Sequence, residues 1–265
     1  MVSINPEYEV DKITVFLRRL AVITGIKNVV IGWSGGIDST VCLFLLARAL
    51  PSEHIHLLHM PYSRSYIKEL KGLKAKGLKI LEKNIHEEDI KEMVDTIWDI
   101  NSKLKIQSSK QTQNSNSENK IRLGNIMARV RMITLFDTAK RIHGLVCGTE
   151  NKTEHELGYF TRYGDGASDI EPIQHLYKTQ VYALAEYLQV PSQYIDRAPS
   201  ANLWEGQTDE GEFGFSYKEA DEVLYRYIDI SKTIKEIETD GLKNAKKIIA
   251  FMKRNEFKRK VPYVI

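Results

Sequence analysis

Between Gly32 and Ser39 the chain reads GWSGGIDS, a segment built for holding phosphate. Gly35 and Gly36 let main-chain N–H groups come close to an anion with no Cβ in the way, and the hydroxyls of Ser34 and Ser39 can donate to phosphate oxygens. Asp38 is the informative member. A carboxylate beside bound phosphate is repulsive unless a cation lies between them, so Asp38 points to Mg2+ held between the protein and a pyrophosphate. A Walker A loop needs a lysine near its end and the dinucleotide fingerprint needs its glycines at other spacings; neither pattern matches. In isolation the same residues would make a tight turn with Asp38 and Ser39 as helix caps. A strand before the loop and a helix after it favour the phosphate reading.

Three further charged positions fit that chemistry. Glu154 closes the run GTENKTE, which starts at Gly148 directly after a predicted strand. Two carboxylates from separate loops can hold a magnesium that keeps positions open for phosphate oxygens and water; the competing reading of Glu154 is a solvated acid at a helix start. Lys178 stands at the start of a helix expected from Thr179 to Leu188. A cation there opposes the helix dipole, so either an anion lies nearby or the lysine is freely solvated. Arg129 borders an apolar stripe of Ile126, Val130 and Ile133, where an arginine has either a defined anionic partner or an apolar surface to snorkel along.

These side chains need a scaffold. Ile13, Phe16, Leu17, Leu20 and Ile23 recur at helical spacing, with Gly25 where a C-cap glycine belongs. Val29 to Ile31 is a β-branched run suited to a strand buried on both faces, Ser39 to Leu50 reads as a helix stopped by Pro51, and His54 to His59 reads as a second strand. Strand, helix, strand in that order predicts an α/β fold with a doubly wound, mostly parallel sheet and helices on both faces. Helices are expected from Lys68 to Lys83, from Glu87 to Ile100 and from near Gly124, and a strand over Leu145 to Cys147. The polar stretch 107–120 is expected to be a mobile loop, and 1–265 a single domain.

Bulk properties narrow the class. The 265 residues are 42% hydrophobic and 28% charged, ordinary globular values. No apolar run reaches the roughly 18 residues a bilayer span needs, and no export signal opens the chain, which predicts a soluble, cytoplasmic protein with no membrane partner. A formal charge of +3 is too small to indicate nucleic-acid binding. Cys42 and Cys147 both sit in apolar runs, as buried reduced thiols do.

The SGGIDS segment resembles the pyrophosphate loop of the N-type ATP pyrophosphatases, and the blocks GTENKTE (from Gly148) and GYFTRYGDGASD (from Gly158) resemble the NAD synthetase family. The resemblance runs from about residue 8 to 262. It implies an adenine nucleotide alpha hydrolase-like fold and ATP-dependent amidation of deamido-NAD (nicotinic acid adenine dinucleotide) by ammonia, through an adenylated dinucleotide, releasing pyrophosphate and AMP. It places ATP on Gly32, Trp33, Ser34, Gly35, Gly36, Ile37, Asp38 and Ser39, with Thr149, Lys178 and Ser200, and Mg2+ on Asp38 and Glu154. It places deamido-NAD on Arg129, Arg162, Asp169 and Lys258. Asp38 and Lys178 are then the catalytic pair, Lys178 stabilising charge on the α-phosphate or the leaving pyrophosphate.

The resemblance also makes 201–214 an active-site lid and the assembly a symmetric homodimer. The chain departs from the family at Arg162, where lysine is common, at Phe257, where many members carry histidine, and at Ser200, where the family has threonine. A glutaminase domain does not fit this length and neither cysteine begins the chain, so free ammonia or a separate glutaminase is the expected nitrogen source. A GMP synthetase core, a tRNA-modifying ligase and a non-catalytic nucleotide sensor are the competing readings.

Overall fold

The protein is described by a computed structural model covering residues 2–63, 65–75, 77–104, 115–200 and 208–264. Helix α1 (Pro6–Thr24) starts where Asn5 accepts a hydrogen bond from the Tyr8 amide and Pro6 takes the first position. Its buried stripe is Val10, Ile13, Thr14 and Leu17, the i, i+3, i+4, i+7 set. Phe16 and Ile23, expected in that stripe, lie off it around the helix and are exposed.

Strands β1 (Asn28–Gly32), β2 (Ile55–His59), β3 (Ile85–Glu87) and β4 (Gly144–Cys147) form one parallel sheet in the order β3-β2-β1-β4. The helices between them are α2 (Ile37–Ala49), α3 (Leu70–Ala75), α4 (Lys91–Ser102) and α5 (Ser115–Ile142). Period-two alternation sorts β1 between two cores. Val29 and Ile31 pack with α1, α2 and α7 (Lys178–Tyr187), whereas Val30 joins Leu58 and Val146 against α4 and α5. Both faces of the sheet are covered, as a doubly wound α/β fold requires.

After β4 come α6 (Lys152–Leu157), α7, α8 (Ser192–Ile195), α9 (Asp209–Phe213), α10 (Tyr217–Leu224), α11 (Ile234–Thr239) and α12 (Ala245–Asn255). Leu157, Tyr177, Phe213, Tyr217, Leu224 and Ile248 belong to a third core that ties these helices together.

The chain winds outward from β1 to β3 and then crosses to β4 on the other side of β1. The carboxyl ends of β1 and β4 are therefore neighbours at the switch point, where open α/β sheets bind ligands. Several expected boundaries move. β3 falls between the two expected helices and overlaps the second only at Glu87, unread because a three-residue edge strand carries too little periodicity to register, and only Leu70–Ala75 of the first is α-helical. α5 begins at Ser115 rather than near Gly124, so 115–120 is helix and not loop. The remainder of that expected loop, 107–114, and 201–207 of the expected lid lie outside the described residues. No helix among the described residues is long and apolar enough to cross a membrane. Cys42 and Cys147 are free and buried, and burial pushes the Cys42 thiol up, which keeps it unreactive.

Candidate active site

The loop between β1 and α2 lies at the switch point. Helix α2 starts with Gly36 at its N-cap and no side chain capping it, so its first amides have no side-chain acceptor. Inside the loop the Ser34 and Ser39 hydroxyls lie 3.0 Å apart, and Ser39 also donates to the Gly36 carbonyl. Trp33 and Ile37 are buried, Trp33 donating its indole N–H to Thr40, so for these two residues only the main chain is offered to a ligand.

Asp38, at the second position of α2, meets two residues more than 100 positions away in the chain. The Lys178 ammonium donates to Asp38 Oδ2 at 2.5 Å and to Glu154 Oε1 at 3.3 Å. The Asn151 amide donates to Asp38 Oδ1 at 3.0 Å. Asn151 is also the N-cap of α6: its side-chain oxygen accepts from the Glu154 amide, and the Glu154 carboxylate reaches back to the Asn151 amide. One capping box thus fixes Glu154 and, through the same asparagine, Asp38.

Lys178 is buried and the two carboxylates are partly open, with side-chain exposures of 2% against 17% each. A solvated lysine is excluded. Burial pulls the ammonium down, but Asp38 and Glu154 outweigh it and the net shift is upward, so Lys178 stays charged. Burial pushes the Glu154 carboxyl up to about 8, against the pull of Lys178. The lysine backbone is pinned as well: its amide donates to Thr153 Oγ1, Thr153 donates to buried Asp221, and Asp221 accepts from the Thr179 amide at 2.8 Å.

A tyrosine shelf closes the other side. The Tyr217 ring lies 5.0 Å from the Lys178 ammonium, and its hydroxyl donates to buried Asp209 at 2.9 Å and lies 3.5 Å from Glu154. Tyr159 donates to the other oxygen of Asp209, whose carboxyl burial pushes up. Two accessible carboxylates beside an anion-seeking helix start suit a hard divalent cation that takes its remaining ligands from phosphate and water. Among the described residues no cluster of three or more His, Cys, Asp or Glu side chains could hold a metal ion by itself.

A family model described as NAD synthase matches residues 9–262. The chain belongs to the NAD synthase family. The NH(3)-dependent NAD(+) synthetase of Fusobacterium nucleatum is 39% identical over 258 residues, 96% of this chain and 93% of that protein. Among solved structures, an NMN synthetase from Francisella tularensis superposes with TM-score 0.79 at 30% identity, covering 99% of each chain. An NH3-dependent NAD synthetase from Campylobacter jejuni gives 0.76 at 28%, covering 99% of this chain and 100% of that one. The chain is accordingly an amide-forming ligase, and its sheet is the one the family shares.

Of the expected dinucleotide residues, Arg162 and Lys258 meet at the loop after α6. The loop after α6 packs on α5, Thr161 donating to Asn125 at 2.8 Å, one turn from exposed Arg129. Arg162 stacks over the Phe257 ring at 5.1 Å, so two of the three expected departures touch each other. Lys258 spends its ammonium on the carbonyls of Gly158 and Phe160, at 2.7 and 2.9 Å. Asp169 accepts from the Val146 amide and so ties its loop to β4. Thr149 lies in the turn that leaves β4, and Ser200 is half-buried. Sequence reading missed Asn151, Thr153, Asp209, Tyr217 and Asp221. The asparagine three residues before Glu154 was a legible capping signal; the others come from a distant fold contact and carry none.

Proposed function

We propose that the protein makes NAD from deamido-NAD, ATP and ammonia through an adenylated dinucleotide, and the observation that carries this is the Asp38–Lys178–Glu154 cluster beside the phosphate loop. The substrate carboxylate attacks the α-phosphorus of ATP, the bond to the β-phosphate oxygen breaks and pyrophosphate leaves. Ammonia then adds to the acyl carbon, the bond to the AMP oxygen breaks, and the nitrogen sheds a proton as the amide forms. A carboxylate oxygen is a poor leaving group, whereas AMP is a good one.

The protein's part is positioning and charge. Main-chain amides of Gly35 to Ser39 cradle the phosphates, and Lys178 holds positive charge at the α-phosphate and the departing pyrophosphate. Asp38 and Glu154 would hold Mg2+, which when bound neutralises phosphate charge. Arg129, Arg162, Asp169 and Lys258 are proposed to line the deamido-NAD site, with Thr149 and Ser200 on ATP. A symmetric homodimer, implied by the family resemblance, belongs to the same proposal. So do a cytoplasmic location and ammonia supplied free or by a separate glutaminase.

The named NMN synthetase relative, together with the Arg162 and Phe257 departures, makes the deamidated mononucleotide the competing substrate. Purified protein with ATP, Mg2+ and 15N-ammonium is offered each acid in turn. Labelled NAD, with AMP and pyrophosphate in equal amounts, is expected. Preference for the mononucleotide would replace the dinucleotide reading, and no labelled amide from either acid would end the proposal.

A further inference from the structure

An anion loop works only if its carbonyls point away from the ligand, because each one aimed inward repels the charge its amides attract. In the loop after β1 the carbonyls of Trp33, Gly35 and Gly36 all have donors outside the anion side. Gly36 is taken by α2 itself, through the Thr40 amide and the Ser39 and Thr40 hydroxyls. The other two are held by residues remote in sequence. His59, at the end of β2 and only 3% exposed, lies with Nδ1 2.9 Å from the Trp33 carbonyl, and its Nε2 accepts from the Tyr66 amide at 2.9 Å. A carbonyl cannot donate and an amide cannot accept, so this ring is fixed as the neutral tautomer with its proton on Nδ1. Arg197, just after α8, donates to the Gly35 carbonyl at 2.8 Å.

Arg197 is itself held firmly. Its second guanidinium nitrogen pairs with Glu69 at 2.8 Å, and its plane lies over Tyr66 at 4.9 Å and Tyr194 at 5.7 Å. Tyr194 in turn donates to the Glu69 carbonyl. Tyr66 is common to both devices, since its amide orients His59 and its ring carries Arg197. Gly35 has φ +78°, and a Cβ there would stand 3.1 Å from the guanidinium, so the glycine is needed both for its backbone angle and for the arginine's approach.

We propose that His59 and Arg197 are positioning residues of the phosphate loop: by drawing the Trp33 and Gly35 carbonyls outward they aim the Ser34 and Gly36 amides of the same peptide units, which donate to the Ser39 and Ser34 hydroxyls at 3.3 and 3.2 Å and so preset those hydroxyls for a pyrophosphate group. This rests on the loop being the phosphate site. The role is selective for the polyphosphate part of a nucleotide, and it exists before any ligand arrives.

The test uses the full chain with His59→Phe and Arg197→Met, the latter at a partly exposed position. Calorimetric titration with Mg·pyrophosphate, Mg·ATP and adenosine is combined with amide NMR of the ligand-free protein. Pyrophosphate and ATP affinity are expected to fall about tenfold in each variant, the scale of one hydrogen bond to a charged group. Adenosine affinity should stay put, and the ligand-free amide resonances should shift, Ser34 in His59→Phe and Gly36 in Arg197→Met. Unchanged pyrophosphate affinity would overturn the inference. So would weaker binding with unmoved ligand-free amides, which would make Arg197 a direct phosphate contact instead. If His59→Phe does not fold, Arg197→Met decides alone. Wild-type protein that ignores pyrophosphate would sink the phosphate-loop reading itself, a result distinct from either of these.

Discussion

Replacing Lys178 by methionine removes the ammonium while keeping a side chain of similar length against the Tyr217 ring. The lysine makes charge-assisted contacts of 2.5 and 3.3 Å to Asp38 and Glu154, so the variant leaves the Asp38 carboxylate without its counter-charge, beside a Glu154 carboxyl that burial already pushes up to about 8 and that losing the ammonium pushes further. Breaking a buried pair by removing one partner costs about 3 to 5 kcal/mol. The partial exposure of both acids argues for the lower end, about 3 kcal/mol, or a fall in Tm on the order of 10 °C for a chain of this size. Mg2+ should then act differently on the two proteins. In the wild type it must share the acids with an ammonium, whereas in the variant it supplies the missing charge and should restore at least half of the loss. Urea and thermal unfolding with and without millimolar Mg2+ measure this directly. Turnover should drop at least ~100-fold, since developing phosphate charge loses its partner. A variant that melts within about 2 °C of wild type without metal, or that gains no more from Mg2+ than wild type does, would refute the electrostatic account of the site.

Asn151→Ala removes both the cap of α6 and the anchor on Asp38; stability should fall by about 1 to 2 kcal/mol and the KM for Mg·ATP should rise, whereas a pure capping role would leave KM alone. Glu171 has its carboxyl pushed up to about 7, first by burial and then by Glu150. A carboxyl whose folded pKa exceeds its unfolded value binds more protons when folded, so stability declines as pH rises from about 4.5 to 7 and is flat above. In Glu171→Gln the amide oxygen can keep the Glu150 amide while Ser168 turns to accept from the new NH2. That variant should lose a slope amounting to about 2 kcal/mol between pH 5 and 8 in urea unfolding, and parallel curves for the two proteins would contradict it. Gly148→Ala places a Cβ 1.9 Å from Glu171 Oε1 and 2.8 Å from the Ser168 Cβ, so a loss of about 3 kcal/mol is expected by calorimetry; Gly148→Ala with Glu171→Ala should recover most of it.

What the sequence disclosed and what it hid divide along the reach of the forces involved. The β-branched run at Val29, the glycine pair and the position of Asp38 are local, and the loop and its helix were legible from them, as the doubly wound class was from the strand, helix, strand order that runs on to His59. Glu154 and Lys178 were legible as charges in need of partners, but whether they met Asp38 depended on β4 lying beside β1, which only the assembled sheet decides. The residues that shape the site most finely were silent. Asp221 bonds to Thr153 and the Thr179 amide and so fixes where Lys178 starts its helix, yet on α10 it reads as one more acid in an amphipathic stretch. His59 and Arg197 act on main-chain carbonyls, which have no signature of their own in a sequence. β3 escaped because three residues cannot display a period, and the early start of α5 because a polar turn with no apolar face carries no pattern to read. Chemistry that works through side-chain type is therefore written in the chain, whereas chemistry that works by aiming the backbone is written only in the contacts. A site of this kind, in which two acids and a lysine must share one small space, depends on both.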